Sequence, residues 1–257
     1  MTRSRRLRRG IYLLPTLFTI GNLFCGYSSL VLAAGGMIAQ AALLIVLATV
    51  LDGLDGRIAR LTGTTSDFGV QFDSLADIVS FGIAPAILAY HWALAPLGRF
   101  GWLIAFIFVV CAAMRLARFN IQGPRADKRF FAGMPSPPAA GSLACVAFAF
   151  PETPEAGLLP LLVAILVTSL GLLMISRFRY RSFKDLDLRN RRSYIWVLPL
   201  AGIIVAVAVL PRIVLLILFG AYLISGPAGA VWGFLSPARG GRTASGEHRV
   251  LDESSGR

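Results

Sequence analysis

Long apolar segments separated by short polar ones dominate the chain. A run of about 18 or more apolar residues can cross the hydrocarbon core of a bilayer as a helix. Counting such runs, and slightly shorter ones bounded by loops, predicts an all-α fold, a polytopic membrane bundle of about eight helices. The predicted helices are Ile11–Ala34, Met37–Leu61, Phe68–Leu94, Phe100–Ile121, Met134–Phe150, Gly157–Ser176, Tyr194–Leu210 and Arg212–Phe234.

The two ends of the chain are polar. Residues 1–10 form a basic N-terminus, and residues 236–257 are rich in Gly, Ser and Arg, which predicts a disordered tail. Residues 11–235 are then the transmembrane domain. The first apolar run follows a basic region as a signal peptide would, but it is too long for a signal peptide and is interpreted as a helix.

The Lys and Arg residues are unevenly divided between the loops. Eight spans place both termini and every second loop on one side of the membrane, and that side receives all 25 basic residues except Arg99 and Arg212. Cytoplasmic loops of membrane proteins carry an excess of Lys and Arg. We therefore expect a protein of the plasma (inner) membrane whose two termini face the cytoplasm.

Composition narrows the class of protein further. The chain is 56% hydrophobic, with a mean hydropathy of +0.71 and only 15% charged residues, too few to cover a soluble globule of this size. A net charge of +12 would suggest nucleic acid in a soluble protein, but here the charges lie in short runs between apolar segments, so no nucleic-acid partner is expected. Three cysteines lie in apolar stretches and predict no disulfide.

Acidic residues are concentrated in one short part of the chain. Of 13 Asp and Glu, five fall between Asp52 and Asp77. Asp52 and Asp55 are three residues apart near the end of the second span, and Asp73 and Asp77 are four apart near the start of the third, so each pair shares a helix face. The short connection LTGTTSD would bring the two pairs together.

Four carboxylates at a membrane interface repel one another unless they keep their protons or bind cations. Carboxylates without nearby His or Cys suit a hard ion such as Mg²⁺, Mn²⁺ or Ca²⁺. The alternative is that they are ordinary charges paired with Arg57 and Arg60. On the metal interpretation, Arg60 would hold a phosphate, and three small residues would leave room for a bulky ligand, namely Gly56, Ala59 and Gly69.

This segment resembles the CDP-alcohol phosphotransferase family, whose motif is D-x-x-D-G-x-x-A-R-x8-G-x3-D-x3-D. The match has no gap or departure, at Asp52, Asp55, Gly56, Ala59, Arg60, Gly69, Asp73 and Asp77. The resemblance implies a six-helix core with a cytoplasmic site for two divalent cations, Mg²⁺ or Mn²⁺. It also implies a CDP-linked donor whose phosphate is attacked by an alcohol, Asp77 as the base, and a homodimer.

Other stretches resemble the phosphatidylserine synthase branch of that family, namely RRGIYLLPTLFTIGNLFCG, FDSLADIVSFGIAPA, MRLARFN and FAGMPSPPAA. This resemblance extends from about Arg8 to Ala140. It implies CDP-diacylglycerol as the donor and L-serine as the acceptor. Glycerol phosphate, inositol phosphate and choline are alternative acceptors. A cation transporter is the alternative from another class, but its carboxylates would lie near mid-membrane rather than at one end.

Several residues outside the motif are candidates for binding. Arg115 and Arg118, with Asn120 beside them, could hold the serine carboxylate, or the two arginines could only anchor the fourth span at the cytoplasmic surface. Asn22, a polar residue in an apolar run, could bind the donor or could join helices. The segment MPSPP is expected to form a loop over the acceptor pocket, and a helix start with Pro in its first turn is the alternative.

Overall fold

The computed structural model describes residues 3–62, 66–122, 130–153, 157–176, 179–181, 201–202 and 205–235. Within these ranges the side chains of residues 3–14, 59–60, 62, 122, 130–132, 179–181, 224 and 226–235 are not described. The helices are α1 (Arg3–Ala34), α2 (Ile38–Thr62), α3 (Asp67–Asp77), α4 (Ala84–Ala89), α5 (Arg99–Gln122), α6 (Ser136–Ala149), α7 (Leu158–Ile175) and α8 (Pro211–Leu235). Two short strands, β1 (Phe130–Ala132) and β2 (Arg179–Arg181), pair antiparallel.

The predicted all-α membrane bundle is confirmed. Five helical segments are long and apolar enough to cross a membrane: Pro15–Ala34, Ile38–Ile58, Asp67–Leu97, Arg99–Ile121 and Leu158–Ile175. Ser136–Ala149 and Pro211–Leu223 are shorter apolar helices that correspond to the predicted fifth and eighth spans. The predicted seventh span, Tyr194–Leu210, lies mostly outside the described residues. The predicted disordered tail, residues 236–257, lies wholly outside them.

The third span, Asp67–Leu97, is one helical rod with changes of pitch. α3 and α4 are joined by a π-helical segment, Ile78–Ile83, and α4 is followed by a second, Tyr90–Leu94. In the first, the Ala84 N–H donates to the carbonyl of Val79, five residues earlier. Each π segment ends two residues before a proline, Pro85 or Pro96, which has no N–H for the carbonyl four residues earlier. The wider turns therefore follow from the proline positions.

The connections between helices have local causes. Ser66 caps α3, because its hydroxyl accepts the N–H of Gly69. Gly98, between the third span and α5, has a φ of 56°, which favours glycine. α1 begins at Arg3 rather than at the predicted Ile11. The arginine-rich N-terminus can continue the helix because arginine is a good helix former.

α6 lies in the middle of the bundle. It contacts α2, α5, α7, α8 and the third span, and most of its residues are buried on every side. A helix that is apolar all round needs such a position. Its small residues let neighbours approach closely, and at Gly141 an added Cβ would overlap the ring of Phe219 on α8. Large apolar side chains such as Phe24 and Leu172 point outward instead, as expected toward lipid.

The two strands were not predicted from the sequence. β1 precedes α6 and β2 follows α7, and Phe131 lies opposite Tyr180 in the register. The chain then packs against the end of α7, where the Met134 N–H donates to the Leu173 carbonyl at 3.0 Å. Gly133 has a φ of 87°, and a Cβ there would overlap the Met174 carbonyl oxygen. This contact fixes where α6 begins.

Candidate active site

Three of the four motif carboxylates converge where α2 ends and α3 begins. Oxygen atoms of Asp52, Asp55 and Asp73 all lie within 4.8 Å of one another. Asp77 completes the group, since its carboxylate lies close enough to Asp52 and Asp73 for their charges to interact. Asp55 is buried, with 4% of its surface exposed, and the other three are half-buried. The helical spacing and the short connection bring these residues together, as the sequence analysis expected.

α1 contributes polar side chains to the same site. The Thr19 hydroxyl donates to Asp55 Oδ2 at 3.1 Å, and the Asn22 amide nitrogen lies 3.4 Å from Asp77 Oδ1. Both residues are buried. The Asn22 backbone carbonyl also accepts the Ser80 hydroxyl at 3.0 Å. Asn22 therefore joins α1 to the third span, which is the helix-joining alternative, while it also lies next to the proposed base.

The donor atoms of this site fit a divalent cation. Asp73 Oδ1 is buried and has no hydrogen-bond partner among the described residues. Carboxylates this close together, in a region of low dielectric constant, repel one another strongly unless positive charge lies beside them. An all-oxygen set of this kind suits Mg²⁺ or Mn²⁺ better than a softer metal. The cluster can therefore hold a hard divalent cation, with Asp52, Asp55 and Asp73 as its ligands.

Arg115 brings one positive charge to the cluster from α5. Its side chain lies close enough to Asp77 and Asp52 to interact with their charges, and Tyr222 of α8 lies near it as well. Its Nη1 donates to the hydroxyl of the fully buried Ser136 at 2.6 Å. Arg115 is therefore held beside the acidic cluster rather than extended into solvent.

The other two predicted acceptor residues lie farther along α5. Arg118 is half-buried, and its side chain forms no hydrogen bond or ion pair with another described residue. Asn120 is exposed, and its amide nitrogen donates to the Ser74 hydroxyl at 3.0 Å. That contact links the ends of α5 and α3 but does not connect Asn120 to the carboxylates. Within the described residues, Arg115 is the one of the three candidates that lies beside the acidic cluster.

The small motif residues are only partly described. Gly56 is half-buried, one position after Asp55. Gly69 lies in the first turn of α3, where an added Cβ would be 3.1 Å from the Ser66 hydroxyl. The side chains of Ala59 and Arg60 lie outside the described residues. Their predicted roles in binding the donor remain predictions.

The expected loop over the acceptor pocket is wrong for most of MPSPP. α6 begins at Ser136, with Pro135 as its N-cap and prolines in its first turn. Proline is tolerated there because the first turn of a helix has no acceptor for its N–H groups. Sequence analysis also missed Thr19 and Ser136. Thr19 is three residues before Asn22 on the same face of α1, and this spacing was a usable signal.

Comparison with known proteins agrees with this geometry. Residues 12–175 match the family model of CDP-alcohol phosphatidyltransferases, which is more than half of the chain. This chain belongs to that family. The resemblance first drawn from the aspartate motif is confirmed, and this phosphatidyltransferase is a membrane protein whose matched region contains all four carboxylates.

Its curated relatives carry a more specific name. A CDP-diacylglycerol–serine O-phosphatidyltransferase of Helicobacter pylori (strain ATCC 700392 / 26695) is 40% identical over 217 residues, covering 84% of this phosphatidyltransferase and 90% of the relative. The enzyme of that name from Bacillus subtilis (strain 168) is 36% identical, covering 71% and 98%. One from Mycobacterium leprae (strain TN) is 33% identical, covering 87% and 77%.

Proposed function

We propose that this chain transfers the phosphatidyl group of CDP-diacylglycerol to L-serine and so forms phosphatidylserine and CMP. The observation that carries the proposal is the convergence of Asp52, Asp55 and Asp73 within 4.8 Å, inside a complete family motif. Relatives that share the serine-specific name and cover most of the chain support serine as the acceptor. The reaction class follows from the family, and the acceptor from those relatives.

The site takes two divalent cations, Mg²⁺ or Mn²⁺. Asp52, Asp55 and Asp73 hold them, and Asp77 completes the ligand set. Bound there, the ions supply positive charge that offsets the diphosphate of the donor and the departing CMP. Asp73 Oδ1, which has no hydrogen-bond partner in the described part of the chain, supports this assignment, because a buried carboxylate oxygen without a hydrogen bond is costly unless a cation lies beside it.

Asp77 acts as the base in a direct displacement. Its carboxylate accepts the proton of the serine hydroxyl, and the serine oxygen forms a bond to the lipid-bearing phosphorus. The bond from that phosphorus to the CMP oxygen breaks, and CMP leaves with the electron pair. The described residues beside the cluster include no activated Ser, Cys or His that would favour a covalent intermediate.

Arg115 binds the serine carboxylate. Its neighbours support this role, because Arg115 lies close enough to Asp77 and Asp52 to interact with their charges, so that a serine bound to it is next to the cluster. A guanidinium binds a carboxylate through two parallel hydrogen bonds. Ser136 occupies one nitrogen, Nη1, which still leaves other N–H groups of Arg115 for the substrate. Arg118 and Asn120 are secondary candidates.

The donor side of the site is assigned to the remaining motif residues. Arg60 holds a phosphate of CDP-diacylglycerol, and Gly56, Ala59 and Gly69 give the nucleotide access to the backbone. Asn22 contacts the donor through Oδ1, which is buried and has no partner among the described residues. The acyl chains stay in the bilayer while the head group enters the polar site.

The protein functions as a homodimer in the plasma membrane, with the site and both termini on the cytoplasmic side. The distribution of the 25 Lys and Arg residues supports this orientation. The location suits the chemistry, because serine and CMP are water-soluble and the donor and product are lipids. The dimer rests on the family resemblance.

The deciding experiment is CMP release by purified protein in lipid nanodiscs. CDP-diacylglycerol and Mn²⁺ or Mg²⁺ are supplied with serine, glycerol 3-phosphate, inositol 1-phosphate or choline in parallel. We expect release that requires both metal and serine. Release with a different alcohol would keep the family reaction and overturn serine as the acceptor. Metal-dependent ion flux without CMP release would instead support a transporter.

A further inference from the structure

The most buried carboxylate of the cluster has a partner that the family motif does not include. Asp55 has 4% of its surface exposed, less than Asp52, Asp73 or Asp77. Thr19 on α1 is also buried, and its hydroxyl donates to Asp55 Oδ2 at 3.1 Å. The two residues are 36 positions apart in sequence, so the contact exists only because α1 packs along α2.

The geometry of α1 directs the Thr19 hydroxyl toward Asp55. Thr19 Oγ1 also lies 3.1 Å from the Pro15 carbonyl, one helical turn earlier. A threonine in a helix has few side-chain rotamers, and this back-contact selects one of them. A carboxylate is a stronger acceptor than a peptide carbonyl that already accepts a helical N–H. The hydroxyl proton therefore belongs to Asp55.

We propose that Thr19 is a positioning residue that orients Asp55 as a metal ligand. The inference rests on the metal site of the proposed function but not on the identity of the acceptor alcohol. Thr19 binds one carboxylate oxygen, Oδ2, and so fixes the rotation of the carboxylate that lies within 4.8 Å of Asp52 and Asp73. It does so without adding charge, which leaves the ligand set negative enough to attract a divalent cation.

Loss of the hydroxyl has a measurable consequence for metal affinity. Removal of a residue that hydrogen-bonds to a metal ligand typically lowers the affinity for the metal about 10- to 100-fold. Thr19→Val keeps the shape of the side chain and removes the donor. Thr19→Ser keeps the donor and removes a methyl group. The two variants therefore separate hydrogen bonding from packing.

The test is Mn²⁺ binding, measured by electron paramagnetic resonance on purified full-length protein in nanodiscs without either substrate. Thr19→Val is expected to weaken binding about 10- to 100-fold, and Thr19→Ser to stay close to wild type. Thr168→Val is the control, because Thr168 is a half-buried threonine of another membrane helix whose hydroxyl, like that of Thr19, donates to the carbonyl one turn earlier, here that of Ala164. It should bind Mn²⁺ as wild type does.

Two results would overturn the positioning role. One is wild-type Mn²⁺ affinity in Thr19→Val, and the other is an equal loss in Thr19→Ser, which would point to packing. Thr19→Ala guards against misfolding of the valine variant. If Thr19→Val and Thr19→Ala are both unfolded in the absence of metal, Thr19 is a structural residue and the proposal fails. A wild type that binds no Mn²⁺ would overturn the metal site itself, whereas absence of serine-dependent CMP release would overturn only the acceptor.

Discussion

The four aspartates at positions 52, 55, 73 and 77 have different surroundings although they share one motif. Asp55 is buried against Thr19, Asp73 has an oxygen without a partner among the described residues, and Asp77 lies between Asn22 and Asp52. Asp77 is therefore the member that lies next to the amide of Asn22. Its assignment as the base leads to a specific expectation.

Asp77→Asn should abolish most turnover while donor binding is partly retained. The amide cannot accept the serine proton, and loss of a general base lowers kcat by roughly 10²- to 10⁴-fold. The measurements are CMP release and CDP-diacylglycerol binding on the same preparation. Asp67→Asn is the matched control, since Asp67 is an exposed residue of the first turn of α3 outside the motif. Normal turnover in Asp77→Asn would remove Asp77 as the base.

Arg115→Ala should raise the KM for serine with a smaller change in the KM for the donor. A hydrogen bond to a charged group contributes about 1.5–3 kcal/mol, which corresponds to roughly a 10- to 100-fold change in affinity. Arg115→Lys keeps the charge near Asp77 and should show a smaller rise. Arg99→Ala, at an exposed position at the opposite end of α5, is the control. An unchanged serine KM in Arg115→Ala would exclude it as the carboxylate site.

At the scale of elements, the packing of α1 against the third span decides where two site residues lie. Asn22 contacts both Asp77 and Ser80, on either side of the start of the first π segment. Gly26, one turn farther along α1, lies directly against Ser80, and an added Cβ would be 2.8 Å from its Cα. The absence of a side chain at Gly26 therefore lets the two helices approach.

Gly26→Ala should destabilise the protein by about 1–3 kcal/mol, because the added methyl group meets backbone that cannot move aside. Gly220→Ala on α8 is the matched control, since a Cβ there has nothing within 4 Å. Alanine is favoured over glycine in a helix, so the control should be neutral or slightly stabilising. Thermal unfolding in detergent measures both. Equal melting temperatures would show that α1 and the third span are not in close contact.

For the whole molecule, the central expectation is that the site and both termini share the cytoplasmic side. The native cysteines Cys25, Cys111 and Cys145 are buried and should react little with polar thiol reagents. Two introduced cysteines then report the side of the membrane on which each position lies: Glu152→Cys, at an exposed position after α6, and Ser245→Cys, in the C-terminal part of the sequence. The expected topology places the first outside the cytoplasm and the second inside it.

In intact cells a membrane-impermeant maleimide should label the position 152 variant and spare the position 245 variant. Permeabilised cells should give labelling of both, and wild type gives the background. The reverse pattern would place the aspartate cluster outside the cytoplasm. A cluster in that location would be inconsistent with a donor and a serine that are supplied from inside the cell.

The sequence by itself determined the membrane class, the family and the position of the aspartate cluster. The length of an apolar run indicates a membrane helix because the bilayer has a fixed thickness that the run must span. The run must be helical because the bilayer has no water to bond unpaired backbone groups. The spacing of Asp52 and Asp55, and of Asp73 and Asp77, places each pair on one face because an α-helix repeats every 3.6 residues. These inferences need only local geometry.

Tertiary structure alone decided which other residues reach the cluster. Thr19 contacts Asp55, which is 36 residues away in the sequence. Arg115 contacts Ser136, which is 21 residues away. The β1–β2 pair likewise joins two segments that are far apart in sequence. Such contacts depend on the rotation and separation of packed helices, which hydrophobic patterns constrain weakly because lipid and neighbouring helices are both apolar. For that reason Thr19 was not recognised from the sequence as a residue of the site.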